Sequence, residues 1–296
     1  MKPDIQCLRC IMSTRLREIE QVSLERNEKL TLSKEIAAKI IEQFNWNIEL
    51  TDFASEVFKY LVSRAPEVAE YYRNVKRTLN KRALENIELH ERYIVQLNSY
   101  AKFMYLVKLS AIGNLLDYGV ADHKPLDETI TPTIVEKYDV AVDDSYELYK
   151  KLISGGVKIT WLFDNAGEAP YDLLLINEIR KMGNTVYGLV KDEPGFQNDI
   201  SIEDAEYLNL SFYLDELKTY GCNCSTIHLN HISNEARSIL EKSNMIIAKG
   251  MSHFEYLSEV NLGKPVFFIL IPKCEPVARK IREDSRGKIV VLFKQR

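Results

Sequence analysis

Two acids and an amide stand directly after a strongly apolar run of the sequence. The run covers residues 157–163 and is followed by Asp164, Asn165 and Glu168. Carboxylate and amide oxygens are hard ligands that suit Mg²⁺, Mn²⁺ or a similar divalent cation. The same residues could instead form an Asx turn that caps the next helix, and this loop by itself does not decide between a metal site and a cap.

Two further loops carry polar groups at the ends of predicted strands. Asn198 and Asp199 follow a strand that ends near Val190, and Lys249 ends another strand just before Gly250. A lysine beside the exposed amides of a helix amino terminus can hold a phosphate. Each loop also has an ordinary capping explanation. Acids for a metal and a lysine for an anion are nevertheless what phosphoryl chemistry requires, so their joint occurrence favours a phosphoryl-transfer site.

An amide and an acid also end the most apolar helical segment, where Asn114 and Asp117 lie between Gly113 and Gly119. If the segment stays helical, the two side chains share one face and can reach a common ligand. The alternative is a glycine-terminated helix with polar capping.

The five cysteines are an odd number in a chain without a secretory signal, which favours thiols over a disulfide framework. Cys7 and Cys10 form a C-x-x-C pair. A zinc site usually needs four ligands, and no second pair at matching spacing follows. Cys222 and Cys224 have the wrong spacing for that role. The spacing therefore favours thiols over a structural metal.

Composition excludes several classes of function. The 296 residues carry Lys+Arg 39 against Asp+Glu 43, a net charge of -4, and so lack the basic excess of a nucleic-acid-binding protein. No apolar run approaches the roughly 20 residues that span a bilayer, and the amino terminus lacks a signal-peptide core. We expect a cytoplasmic protein without membrane or nucleic-acid partners; the sequence does not predict its oligomeric state.

The first part of the chain is helical in pattern, and the length suits two domains, predicted here as a helical region over 1–142 and an α/β domain over 143–296. Helices are predicted over 32–44, 52–64, 66–75, 76–91 and 93–116. Residues 120–142 predict a connecting passage, and Asp143 or Asp144 is expected to begin a short helix.

Strands and helices then alternate. Strands are predicted at 157–163, 185–190, 225–229, 245–249, 265–271 and 288–293. This alternation is typical of a mostly parallel sheet covered on both faces, so the predicted fold class is a three-layer α/β/α sandwich preceded by a multihelical region. The polar loops would then meet at the carboxyl edge of the sheet, where such folds bind ligands.

At this point the chain resembles a known family, the DUF89 or damage-control phosphatases, and its C-x-x-C pair is similar to that of the prokaryotic and archaeal branch. The resemblance spans nearly the whole chain and follows the family's order of motifs. They are Cys7-x-x-Cys10, Gly113-Asn114-x-x-Asp117, Asp164-Asn165-Ala166-Gly167-Glu168 with Asp172, Asn198-Asp199 with Glu203-Asp204, Lys249-Gly250 with Phe254-Glu255, and Lys273-Cys274.

The resemblance implies a metal-dependent phosphatase that acts on small phosphorylated metabolites, such as phosphosugars or damaged phosphometabolites. Carried over by residue, Asp164, Asn165 and Asp199 would bind the cation, and Lys249 and the backbone at Gly250 would hold the phosphate. The expected cofactor is a divalent metal, Mg²⁺, Mn²⁺, Ni²⁺ or Co²⁺, and the expected partner is a small phosphorylated substrate.

Catalytic roles follow from the same resemblance. Asp164 is the candidate nucleophile or base as well as a ligand, and Glu168 would orient a water. Asn114 and Asp117 would close the site from the helical region, and Glu255 completes the substrate-binding motif.

The chain departs from the family pattern at one motif. Members usually read Lys-Gly-x-Gly-Asn-aromatic-Glu, but this chain has Ser252 for the second glycine and His253 for the asparagine. A serine is strained if the position needs φ > 0, and a histidine titrates near neutrality. The departure concerns substrate placement rather than the metal site.

Cys274 also belongs to a motif that matches the family, and it adds a third cysteine to the pair Cys7 and Cys10. This match predicts that Cys7, Cys10 and Cys274 come together as a thiol cluster, for a soft metal or for redox chemistry.

Two other functions stay open from the sequence. A carboxyl methyltransferase is an activity also proposed for a branch of the family, although no glycine-rich nucleotide loop supports it here. A metal-dependent binding protein without turnover would use the same acidic loops.

Overall fold

A computed structural model describes residues 1–121, 123–125 and 129–295. The strands are β1 Val140–Asp143, β2 Lys158–Leu162, β3 Thr185–Val190, β4 Glu216–Thr219, β5 Met245–Lys249, β6 Val266–Leu270 and β7 Ile289–Lys294. The α-helices are α1 Ile5–Gln21, α2 Arg26–Gln43, α3 Leu50–Arg64, α4 Glu67–Ile94, α5 Ser99–Gly113, α6 Pro132–Lys137, α7 Ser145–Leu152, α8 Ala169–Lys181, α9 Ile202–Tyr207, α10 Leu210–Tyr213, α11 Asn234–Lys242, α12 Gly250–Leu257 and α13 Glu275–Ile281.

The seven strands form one sheet in the order β1-β7-β6-β5-β2-β3-β4. Neighbouring strands are parallel except for the antiparallel pair β6 and β7. The strand order runs outwards in opposite directions from β2 and β5, so a topological switch point lies between these two strands. Ligands of open α/β sheets bind in the crevice outside the carboxyl ends at such a point.

Alternate side chains of the central strands fill two different cores, one on each face of the sheet. Ile159 and Trp161 of β2 pack in the core shared with α5 and α8. Leu162 of the same strand and Ile246 of β5 pack on the opposite face with α11 and α12. Burial on both faces explains why these strands read as continuous apolar runs. The predicted three-layer α/β/α sandwich with a mostly parallel sheet is confirmed.

A third core joins the helices that precede the sandwich. Ile36 and Ile40 of α2 pack with Val57 and Leu61 of α3, each fully buried, and Phe196 from the loop after β3 joins them. The multihelical amino-terminal region is therefore confirmed, whereas the domain boundary at 142/143 stays a prediction. Within the described ranges, no helix has the length and apolar character needed to cross a bilayer.

Several predicted elements are wrong in place or extent. Residues 225–229 form no strand; Ser225 instead bonds Ser55 and Thr51 of α3 from an irregular loop. The strands missed are β1 and β4, which lie at the two edges of the sheet, and the polar sequence of β4 suits that position.

The predicted passage over 120–142 contains α6 and the beginning of β1, whose last residue is Asp143. The short helix predicted to begin at Asp143 or Asp144 is confirmed at the second position, because Asp144 is the N-cap of α7. Residues 122 and 126–128 of this passage lie outside the described residues. The two helices predicted over 66–91 form a single helix, α4, and α5 is shorter than the helix predicted over 93–116.

Candidate active site

A cavity of about 130 Å³ opens at the carboxyl edge of the sheet, beside the switch point. Its sheet-side wall includes Asp164, Asn165 and Asp199. Its opposite wall comes from α1 and α3, whose contributions include Arg15 and Leu50. The amino-terminal helices therefore build part of the cavity, and the site lies between the helical region and the sandwich.

The loops after β2 and β3 are fixed to each other by backbone hydrogen bonds. Asn165 and Asp199 form an antiparallel bridge, and the amide of Ile200 donates to the carbonyl of Asp164 at 2.8 Å. Side chains add to this frame, because Asn198 Nδ2 donates to Asn165 Oδ1 at 2.9 Å and Asn165 Nδ2 donates to Asp164 Oδ2 at 2.7 Å. Main-chain bonds thus hold the two loops together, and an amide donor also positions the carboxylate of Asp164.

Asn114 and Glu168 lie behind these acids. Asn114 Nδ2 donates to Asp164 Oδ2 at 2.8 Å and to Glu168 Oε2 at 3.1 Å. Both side chains are completely buried, and neither is among the described residues that line the cavity. This geometry gives them a positioning function for Asp164. The substrate contact predicted for Asn114 and the water-orienting role predicted for Glu168 stay predictions.

Asp164 and Asp199 are buried where the ionised form of a carboxyl group is unfavourable. Burial raises the pKa of Asp164 well above its usual value, and the charges of Asp199 and Glu168 raise it further. Burial also raises the pKa of Asp199 to about 7, although the ammonium of Lys191, 3.4 Å from Oδ2, opposes the shift. In the described part of the chain, Asp199 Oδ2 has no hydrogen-bond partner.

This donor set fits a hard divalent cation. Two carboxylates and a carboxamide face one cavity, and a bound cation would offset the charge that burial leaves uncompensated. Among the described residues, no group of three or more His, Cys, Asp or Glu side chains is arranged to hold a metal. The predicted set has two acids and an amide, so water or substrate oxygens would have to complete the coordination.

Lys249 lies on the inner side of this network. Its Nζ contacts Glu168 Oε1 at 2.7 Å and Asp172 Oδ1 at 2.8 Å, and donates to Ser110 Oγ at 2.6 Å. Burial lowers its pKa, but the two carboxylates outweigh burial and raise it above the ordinary value. Lys249 is fully buried, so its assignment to the phosphate stays a prediction that these contacts do not support.

The two departures from the family motif have different positions. Ser252 lines the cavity from α12 and has ordinary negative φ, so it carries no strain there. His253 is buried; its Nδ1 bonds the carbonyl of Lys249 at 2.8 Å and its Nε2 bonds Tyr220 Oη at 2.7 Å. Burial and the charge of Lys191 hold its pKa well below the usual value, so His253 is a neutral packing residue.

Asp117 and Glu255 both line the cavity. Asp117 Oδ2 pairs with Lys273 Nζ at 2.8 Å, and its Oδ1 accepts from the amide of Gly119 at 2.6 Å. Burial opposes ionisation of Asp117, but Lys273 outweighs it and lowers the pKa. Burial raises the pKa of Glu255 to about 7.

The three predicted cluster cysteines, Cys7, Cys10 and Cys274, line the same cavity as the acids and are free thiols. Burial raises the pKa of Cys7 to about 11 and that of Cys274 to about 12. Reactive cysteines have depressed pKa values, so these shifts do not favour redox chemistry. The expectation of thiols rather than a disulfide framework holds for these three cysteines and fails for Cys222 and Cys224, which are joined in a disulfide.

Sequence reasoning missed Lys191 as a partner of the cavity acids and named Lys273 merely as part of a motif. Lys191 follows β3 and Lys273 follows β6, while Lys249 is the last residue of β5. A lysine at each of three strand ends was the signal that could have identified them, because these ends meet at one edge of the sheet.

Comparisons with known proteins agree with this architecture. The sequence matches the family model of the damage-control phosphatase ARMT1-like domain over residues 4–289. A damage-control phosphatase of Archaeoglobus fulgidus is 36% identical over 216 residues, 72% of this chain and 73% of the relative. One of Pyrococcus horikoshii is 28% identical over 300 residues, 99% of this chain and 98% of the relative. The crystal structure of a DUF89 family protein from P. horikoshii matches with TM-score 0.85 and 27% identity, covering 99% of each chain.

Proposed function

The chain belongs to the damage-control phosphatase ARMT1-like family, and from this premise we propose that it is a divalent-metal-dependent phosphatase of small phosphorylated metabolites. Phosphosugars and damaged phosphometabolites are the proposed substrates, and the cytoplasm is the proposed location. The proposal also places the chain in the prokaryotic and archaeal branch that carries Cys7-x-x-Cys10.

One observation carries this proposal. Asp164, Asn165 and Asp199 lie buried at the carboxyl edge of the sheet and face a single cavity. Ionising two buried acids side by side is costly, and the ammonium of Lys191, 3.4 Å from Asp199 Oδ2, balances one charge of the two, so a bound cation would stabilise the ionised pair. The cavity volume of about 130 Å³ suits a small metabolite rather than a polymer.

These three side chains would hold the cation. When bound, Mg²⁺, Mn²⁺, Ni²⁺ or Co²⁺ would supply Lewis-acid stabilisation of the phosphate oxygens. Asn114 and Asn165 keep Asp164 in place through hydrogen bonds of 2.8 and 2.7 Å. Asp164 then acts as the nucleophile or as the base that takes a proton from water, and Asp199 remains a ligand.

Phosphate placement is assigned to the wall formed by α12. Ser252 lines the cavity, and the amides of the first turn of α12, which begins at Gly250, are free of intrahelical acceptors. Helix amino termini favour anions. Lys273 is buried and pairs with Asp117, which lines the cavity, so its ammonium offsets the charge of an acid at this wall.

Release of inorganic phosphate from p-nitrophenyl phosphate tests the proposal. The protein is stripped with a chelator and then supplied with each of the four metals in turn. We expect turnover that requires the added metal. Metal binding without phosphate release from this ester or from a panel of phosphosugars would contradict a phosphatase and support a non-catalytic binding protein.

A further inference from the structure

Arg15 is a buried cation on the helical wall of the same cavity. The residue is 3% exposed and lines the cavity from α1. Its guanidinium carbon lies 4.9 Å from the ring centroid of Phe58 and 5.9 Å from that of Phe196. Aromatic rings stabilise a guanidinium by cation–π attraction and leave its planar edge available for hydrogen bonding.

The position of Arg15 is fixed through Glu18. Arg15 Nη2 contacts Glu18 Oε1 at 2.8 Å, and that oxygen also accepts from Tyr72 Oη at 2.6 Å and Gln197 Nε2 at 2.9 Å. Gln197 directly precedes Asn198-Asp199 in the chain. The network therefore connects the guanidinium to the loop that carries one of the predicted metal ligands.

Arg15 retains unused donor capacity. Its Nε is buried and has no hydrogen-bond partner among the residues that the structure describes. A buried donor without a partner is unfavourable, and a guanidinium donates through up to five N–H groups. Glu18 Oε2 is also buried without a hydrogen-bond partner among the described residues, so this ion pair is incompletely satisfied on both sides. Because Arg15 lines the cavity, a ligand there is expected to accept from guanidinium donors that Glu18 does not use.

We propose that Arg15 binds a carboxylate of the substrate, so that the preferred substrates are phosphoesters of small carboxylic acids. This inference rests on the proposed phosphatase function. A planar carboxylate matches the guanidinium fork. Because Glu18 already balances part of the charge of Arg15, the site suits a monoanion better than a second phosphate group.

The test compares two esters of equal carbon number, phosphoglycolate and ethyl phosphate, in the parent and in Arg15→Met. We expect the parent to prefer phosphoglycolate in kcat/KM by roughly tenfold or more, the worth of one charge-assisted contact. Arg15→Met should remove most of that preference, and Arg15→Lys should retain part of it. Arg64→Met, which removes an exposed arginine paired with Glu35, is the control.

Binding provides a second readout that does not depend on turnover or on the folding of one variant. Phosphonoacetate should bind the parent more tightly than ethylphosphonate by calorimetry, and Arg15→Lys should narrow the difference. The inference would be overturned if the parent did not prefer phosphoglycolate to ethyl phosphate, or if that preference persisted in Arg15→Met. Equal losses of kcat/KM on both esters in Arg15→Met would also overturn it. If no ester is hydrolysed, the proposed function fails, whereas the phosphonate comparison still decides the role of Arg15.

Discussion

Gly250 approaches Asp164 so closely that a Cβ on residue 250 would lie 1.9 Å from Asp164 Oδ2. The carboxylate thus occupies the space that any other side chain at this position would need. Gly250 also has φ of 78°, in the left-handed region that favours glycine. Gly250, which follows β5, and Asp164, which follows β2, therefore pack directly against each other at the switch point.

Gly250→Ala is expected to displace the Asp164 carboxylate and weaken divalent-cation binding by roughly tenfold or more, as for the loss of a charge-assisted contact. The methyl group cannot share the space, so the acid or the backbone of α12 must move. Isothermal calorimetry with Mn²⁺ measures the effect.

Gly156→Ala is the matched control, because Gly156 has the same φ of 78° and an added Cβ there would meet no atom of the described residues within 4 Å. It carries the backbone strain without the clash. Parental Mn²⁺ affinity in Gly250→Ala would show that Asp164 is not positioned by this contact for metal binding.

Lys249→Met is expected to destabilise the fold by about 3–5 kcal/mol, the usual effect of removing one partner of a buried ion pair. Glu168 and Asp172 would be left buried without their cation. Asp172 already has a pKa raised to about 7 by burial, against the opposing effect of Lys249. Urea denaturation of the variant measures the loss.

The control for this substitution is Lys150→Met, which breaks an exposed pair with Glu147 and should leave the stability close to that of the parent. The double variant Lys249→Met/Asp172→Asn should regain part of the stability. If Lys249→Met keeps parental stability and loses phosphate affinity instead, the phosphate role predicted from the sequence is correct and the structural role is wrong.

His90 should make stability depend on pH. It is fully buried, its Nδ1 bonds Tyr105 Oη at 2.5 Å, and its Nε2 bonds the carbonyl of Ile130 at 3.0 Å. Burial lowers its pKa from 6.5 to about 4. As the pH falls, the unfolded chain therefore protonates this histidine at a higher pH than the folded chain does. Above about pH 6.5 the histidine is neutral in both states, so its lowered pKa does not change the free energy of unfolding.

Between pH 6.5 and 4 this group should lower the free energy of unfolding progressively, by about 3 kcal/mol in total. His90→Gln does not titrate, so the stability gap between the parent and this variant should narrow over that interval. Urea denaturation at pH 7 and pH 4.5 measures the gap, with His231→Gln at an exposed histidine as the control. A gap that stays constant would contradict the lowered pKa.

The sequence predicted the central strands well because each is buried on both faces and forms an unbroken apolar run. Residues 185–190 and 245–249 match β3 and β5 at both ends. Edge strands could not be predicted in this way. β4 is half polar because it is an edge strand, paired within the described part of the chain with β3 alone. Residues 225–229 are apolar in part because they dock against α3.

Site prediction had a comparable limit. The residue types at strand ends were sufficient to bring Asp164, Asn165 and Asp199 together, since parallel strands end at one edge. The partner of each charge was not predictable. Lys249 contacts Ser110 of α5, 139 residues earlier, and this pairing depends on how α5 packs against the sheet. The sequence did not identify Arg15 as a site residue, because no motif near it indicates that this part of α1 lines the cavity.

The metal site itself is tested most directly by calorimetric titration of Asp164→Asn and Asp199→Asn with Mn²⁺, beside the parent and Asp284→Asn. Each replacement removes one charge at almost constant size, and the last affects an exposed acid paired with Arg282. We predict that the two site variants bind Mn²⁺ at least roughly tenfold more weakly than the parent and lose most phosphate release, whereas Asp284→Asn matches the parent. Parental Mn²⁺ affinity in both site variants would contradict the assignment of these acids to the cation.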